Sequence, residues 1–208
     1  DQSEGSNDTQ NLGRPADLFV DVEAREVYVA DGYGNRRIVV FDTETGEYKR
    51  HWGAYGNTPH DDPLPAYDPA ATPSNQFGNP VHCVHVSRDG LVYACDRTND
   101  RMQIFQKDGT FVSEAFFEPE TLMNGSVYDL VLSRDPAQSL IFMVDGMNSE
   151  LRIIDRASNV TLGRVGRPGR SAGQFYAVHD MTMDSQGNLY TTEVQTGQRV
   201  QKFRRLSQ

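Results

Sequence analysis

The chain is poor in several things that would have announced a function. It has two cysteines, Cys83 and Cys95, and one tryptophan in 208 residues. Two cysteines with no second pair exclude a thiolate zinc site. No block of Lys or Arg relieves a formal net charge of −9. The nearest, Arg204–Arg205, is two cations, so DNA, RNA and anionic membranes are excluded as expected partners. No apolar run approaches the roughly 20 residues of a membrane helix. The chain opens on the polar DQSEGSNDTQ, in which no signal peptide is visible, and that says little about compartment.

What is present is repetition. Gly and Pro number 18 and 10, and Tyr and Phe dominate the aromatics, a composition suited to sheets and loops. Four segments share a pattern: an alternating apolar strand, a short turn, a second strand ending in an acid, a polar loop and a third strand. The second and third strands read Glu26–Asp31 and Arg37–Phe41, then Leu91–Asp96 and Arg101–Phe105, then Leu140–Asp145 and Leu151–Asp155, then Asn188–Glu193 and Arg199–Phe203. The acids Asp31, Asp96, Asp145 and Glu193 fall at intervals of 65, 49 and 48 residues, and the last two suit a propeller blade. A fourth, outer strand follows each of the first three units, as at Tyr48–Trp52, Thr110–Ser113 and Val160–Val165. The fold class is therefore all-β: one β-propeller domain over 1–208, with four-stranded antiparallel blades near 14–53, 77–116, 124–166 and 175–208. A proline-rich insertion at 54–76 reads as a surface loop. The polar stretch Asp1–Arg14 does not suit a strand that closes a ring. A fragment of a six-bladed ring, completed by N-terminal blades or by another chain, is expected over a four-bladed ring.

The first strands give a column: Ala16, His82, Tyr128, His179. Histidine appears in alternate blades. In a six-bladed ring such blades sit about 120° apart. Three histidines so placed would leave one zinc position open, as catalytic zinc requires. A polar residue lining a wet channel is the plainer alternative for both. His85 reads as structural, and His51 and His60 as solvated.

The motifs also resemble a family. Asp31-Gly-Tyr33 with Asn35-x-Arg37-Ile-Val-x-Phe41 is similar to an NHL repeat, in the form found in peptidyl-α-hydroxyglycine α-amidating lyases. The stretches Gln76-Phe-Gly-Asn-Pro-Val-His82, Asp96-Arg97-x-Asn99-x-Arg101 and Val178-His179-Asp180 resemble further motifs of that family, in the same order. The resemblance covers nearly the whole chain. It implies zinc bound by His82 and His179, a structural calcium at Asp180, Tyr33 as general base and Arg97 as clamp on a substrate carboxylate. A dication and an arginine beside a phenol favour its ionised form. The implied substrate is a small peptide or another α-hydroxy amide, cleaved to an amide and glyoxylate. There are departures: Val81 and Val178 replace the proline before each metal histidine, and a third histidine has no counterpart here. The rival readings are Tyr33 as a loop cap, Arg97 in an ion pair between blades, and an NHL platform that binds protein or glycan without catalysis. A calcium-dependent propeller lactonase suits the histidine and tyrosine column less well.

Asp31, Asp96, Asp145 and Glu193 recur in every unit, so holding loops is their expected role. Asp129 shares the blade position of Asp180, which weakens the calcium assignment. Cys83 and Cys95 should lie opposite each other across a hairpin turning near Asp89. A cross-strand disulfide is possible there and would suit an oxidising compartment, secreted or periplasmic; two buried thiols are the alternative.

Overall fold

The computed structural model describes residues 2–206. Fifteen strands lie among them, in four antiparallel sheets. Blade 1 is β1 (Asp17–Asp21), β2 (Glu26–Asp31), β3 (Arg37–Asp42) and β4 (Tyr48–Trp52). Blade 2 is β5 (Val81–Val86), β6 (Leu91–Asp96), β7 (Arg101–Gln106) and β8 (Phe111–Phe116). Blade 3 is β9 (Val127–Leu132), β10 (Leu140–Asp145), β11 (Glu150–Asp155) and β12 (Thr161–Val165). Blade 4 has three strands, β13 (Val178–Met183), β14 (Leu189–Glu193) and β15 (Val200–Phe203). No helix among the described residues is long and apolar enough to cross a membrane.

The chain divides into two compact units, Asp1–Asn124 with blades 1 and 2, and Gly125–Gln208 with blades 3 and 4. Within the first, β1 and β2 pack against β5, around Tyr28, Ala30, Val84, Val86 and Phe105. Within the second, β9 and β10 pack against β13, around Tyr128, Val131, Val144 and Met181. The first hairpin turns of blades 2 and 4 carry the glycine that their backbone favours. Gly90 and Gly187 sit at φ of +85° and +82°, where a side chain is strained. Ser87 Oγ bonds the Asp89 carboxylate, and the Gly90 N–H closes the turn on Ser87 O at 2.9 Å.

One polar device recurs in all four blades. The acid that ends the second strand accepts from the arginine that begins the third. The pairs are Asp31–Arg37, Asp96–Arg101, Asp145–Arg152 and Glu193–Arg199, with Nε–O distances of 2.9, 2.7, 2.9 and 2.6 Å. In three blades the acid also takes an N–H from the segment that leads into the blade: Gly13 at 2.7 Å, Gly78 at 2.8 Å and Tyr176 at 3.0 Å. The arginines collect carbonyls from the same segments. Arg37 donates to Ser6, Asp8 and Asn11, Arg101 to Gln76, and Arg199 to Ser171 and Gln174. The stretch at 2–14 is thus no strand, but is tied to the buried Arg37. Burial pushes the Asp96 and Asp145 carboxyls above their usual value, and their guanidinium partners pull the other way. Removing one partner of such a pair costs about 3–5 kcal/mol, because the other charge is stranded. The loop-holding role expected of the four acids is what the structure shows.

The insertion carries no strand. It is held down by Ser6 Oγ to Asp61 at 2.5 Å and by the Tyr67 hydroxyl to Pro119 O at 2.9 Å. His51 is half-buried, with the Tyr48 hydroxyl at 2.8 Å and Asn7 Oδ1 at 3.1 Å, rather than solvated. Burial, with Arg37 nearby, lowers its pKa.

The inner strands differ in one respect. Leu18 is 59% exposed, whereas the residues at its register position, Val84, Leu130 and Met181, are buried. Val20 and Val22 are exposed beside it. Blade 1 thus presents an apolar strip where the other blades bury theirs.

Candidate active site

Three of the five expected site residues meet in the first unit. The loop after β2 is Gly32-Tyr33-Gly34. A Cβ on Gly32 would lie 2.0 Å from the carbonyl oxygen of Val81, so only glycine lets this loop lie against the start of β5. The Tyr33 backbone is fixed at both ends. Its N–H donates to Arg14 O at 3.1 Å, and its carbonyl accepts from Asn79 Nδ2 at 3.1 Å. The Tyr33 hydroxyl then lies 3.0 Å from His82 Nε2, with the two rings edge to face at 5.7 Å.

His82 is aimed by a bulge. Val81 pairs with Asp96 and Cys83 with Cys95, so His82 has no register partner. A bulge bends the strand and re-aims the extra side chain. The same irregularity falls on Tyr128, skipped between Val127 and Asp129, and on His179, skipped between Val178 and Asp180. Just beyond the first bulge, Cys83 and Cys95 form a disulfide with Cα atoms 4.8 Å apart. It pins β5 to β6 directly after His82 and excludes the alternative of two thiols.

Arg97 follows the Asp96 that anchors blade 2 and opens a 3₁₀ turn, Arg97–Asn99. It is 8% exposed, and its Nη1 donates to the Tyr33 hydroxyl at 3.3 Å. Its guanidinium carbon lies 5.7 Å from the centroid of that ring. The phenol oxygen is therefore shared between a cation and an imidazole nitrogen. A group so placed can pass a proton, and the guanidinium edge beside it can hold a carboxylate.

The other two expected residues lie in the second unit. His179 stands edge-on to the Tyr128 ring, at 5.6 Å and 85°. Tyr128 in turn covers Gly146, where a Cβ would come within 2.7 Å of its ring. Asp180 is exposed on β13. His85, expected to be structural, packs against Phe19 with ring centroids 5.6 Å apart.

Antiparallel sheets of four, four, four and three strands in series, with the candidate residues on first-strand bulges and second-strand loops, define a β-propeller. Four blades lie among the described residues. No protein-family model matches the chain. Over 86% of its length, however, it is 30% identical to peptidyl-alpha-hydroxyglycine alpha-amidating lyase 1 of Drosophila melanogaster. Over 52% it is 32% identical to peptidyl-glycine alpha-amidating monooxygenase B of Xenopus laevis. The chain is thus a β-propeller homologous to amidating lyases. It spans 32% of the first relative and 11% of the second. Among solved structures, a hydrazine synthase of Kuenenia stuttgartiensis aligns over 97% of this chain and 49% of its own, with a TM-score of 0.62 and 10% identity. A streptogramin B lyase aligns over 90% and 53%, at 0.56 and 14%. At such identities these two speak for the fold alone.

Proposed function

We propose that the chain carries part of the active site of a zinc-dependent carbon–nitrogen lyase acting on a peptidyl-α-hydroxyglycine or a related α-hydroxy amide. The observation that carries this reading is the Tyr33–His82–Arg97 constellation, built from two blades and aimed by a bulge. The homology to amidating lyases supports it. The donor chemistry suits zinc: imidazole nitrogen is a regular ligand, and His82 is only 5% exposed. His82 would be one ligand and His179 a second. Bound zinc supplies Lewis acidity that polarises the substrate hydroxyl.

The chain's own residues do the rest. Arg97 binds the substrate carboxylate through its planar edge and sets the orientation of the reacting carbon. Tyr33 accepts the proton of the substrate hydroxyl. As that O–H bond breaks, its electrons form the aldehyde carbonyl of glyoxylate, and the C–N bond breaks. The departing nitrogen takes up a proton and leaves as the peptide amide. The 3.3 Å contact from Arg97 steadies the phenol oxygen while it is charged.

A calcium ion at Asp180 and a six-bladed ring, completed by further blades or another chain, belong to the same reading. The Cys83–Cys95 disulfide supports a secreted or periplasmic setting. A second reading, a platform that binds protein or glycan without catalysis, draws on the exposed Leu18, Val20 and Val22 strip. Elemental analysis and glyoxylate release separate the two. Zinc that disappears in a His82→Ala, His179→Ala double variant, together with glyoxylate production, is expected of the lyase. A folded protein with neither, tested with the blades that complete its ring, is a platform.

A further inference from the structure

The first strand of each blade is a sheet edge, and its outward N–H groups lack ladder partners. In each unit one of these N–H groups is taken by an aspartate of the preceding blade. Asp17 Oδ2, on β1, accepts the Val84 N–H of β5 at 3.0 Å. Asp129 Oδ2, on β9, accepts the Met181 N–H of β13 at 2.7 Å. Asp17 and Asp129 hold the same register position, opposite Ala30 and Val144. Val84 lies two residues beyond His82, and Met181 two beyond His179. In both strands the residue between them follows the bulge. A bulge disrupts the ladder locally and lets the strand bend and twist there, so a contact from the preceding blade helps to set its course.

We infer that Asp17 and Asp129 are positioning residues: each clamps the strand that carries the candidate metal histidine of the next blade, and so sets the aim of His82 and His179. The inference rests on the zinc reading for its purpose, but the clamp itself does not. Cys83 holds the same register position in blade 2 and is committed to the disulfide. Asp180 holds it in blade 4. The column therefore divides into two clamps, one cross-link and one exposed carboxylate.

The variants are Asp17→Asn and Asp17→Ala in the full chain, with Asp129→Asn and Asp129→Ala as the independent pair. Both substitutions remove the charge, but only asparagine keeps a side-chain acceptor. Three quantities are read: amide hydrogen exchange at Val84 and Met181, the NMR shifts of the His82 and His179 rings, and the affinity for Zn²⁺ added alone. Asp17→Ala should speed exchange at Val84 about tenfold while leaving Val92 of β6 unchanged, shift the His82 ring, and weaken Zn²⁺ binding by about 10- to 100-fold, as loss of a ligand-orienting partner does. Asp17→Asn should restore all three to near wild type. If exchange at Val84 is the same in all three proteins, the clamp is overturned. If exchange changes but the His82 ring and Zn²⁺ affinity do not separate alanine from asparagine, the positioning role is overturned. If the wild-type chain binds no Zn²⁺, the metal reading fails, and the ring shifts alone decide whether Asp17 aims His82. Should Asp17→Ala not fold, the Asp129 pair decides the matter on Met181 and His179.

Discussion

The two units solve the same problem with different means. In the first, a tyrosine on a loop reaches the bulged histidine through its hydroxyl, at 3.0 Å, and an arginine steadies the oxygen. In the second, the neighbour of the bulged histidine is Tyr128, whose ring meets His179 edge to face at 5.6 Å. The loop after β10 carries Met147 where the loop after β2 carries Tyr33. The first unit also has the disulfide, and its blade 2 anchor Arg101 is fully buried, whereas Arg199 of blade 4 is 25% exposed in its side chain. The same blade plan thus yields one unit with a disulfide and acid–base groups assembled, and one held by packing, clamps and the shared acid–arginine pairs.

That contrast can be broken at four points. The largest effect is expected at the assembled phenol. Tyr33→Phe should lower glyoxylate production about 10²- to 10⁴-fold with zinc content unchanged, the usual weight of a general base. Tyr128→Phe, whose hydroxyl has no such role, should cost little; equal losses from the two would end the distinction. Next come the anchors. Arg101→Met should destabilise by about 3–5 kcal/mol in chemical denaturation, since it strands Asp96 in the interior. Arg199→Met should cost clearly less, because water reaches the arginine side of that pair.

The disulfide follows. A Cys83→Ala, Cys95→Ala double variant should lose about 2–4 kcal/mol, read as a lower denaturation midpoint, and reducing agent should do the same to the wild type. A variant that is stable but has a shifted His82 ring would show that the cross-link serves aim more than stability. The smallest effect is in pH. Glu26 bonds Arg50 at 2.6 and 2.7 Å and the Tyr28 hydroxyl at 2.6 Å. Arg50, above all, lowers its pKa from 4.5 to about 2. A depressed carboxyl contributes stability that is fully present above its unfolded value and is lost as pH falls through the folded one. Between pH 4.5 and about 2 the wild type should therefore lose on the order of 1–2 kcal/mol more than Arg50→Met does. Identical acid titrations of the two would remove Glu26 from the account.

The strands were legible because alternation and turn chemistry are local. The glycines of Arg88-Asp-Gly90 and Gln186-Gly-Asn188 mark turns that the structure keeps, and the four acids recur at a readable spacing. The column of His82, Tyr128 and His179 was legible for the same reason. Its bulges were not, since a bulge is a mismatch between two strands and no single strand encodes it. Asp17 as a partner of Val84 left only a faint trace: Ala16-Asp17, Tyr128-Asp129 and His179-Asp180 share an acid after the column residue. The role of 2–14 was hidden too, because a polar stretch looks unstructured until the buried guanidinium that gathers its carbonyls is in view.

The sequence alone determined the blade plan, the placing of Cys83 opposite Cys95 across a hairpin, and the column of His82, Tyr128 and His179, since these follow from short-range periodicity and turn chemistry; Tyr33, Arg97 and Asp180 stood out only through the family resemblance. Only the tertiary structure decided that the Tyr33 hydroxyl meets His82 and Arg97, and that Asp17 holds the strand between them in place. Those contacts join residues 49 to 67 positions apart. Their geometry depends on how one blade packs on the next, and packing is a property of two surfaces at once.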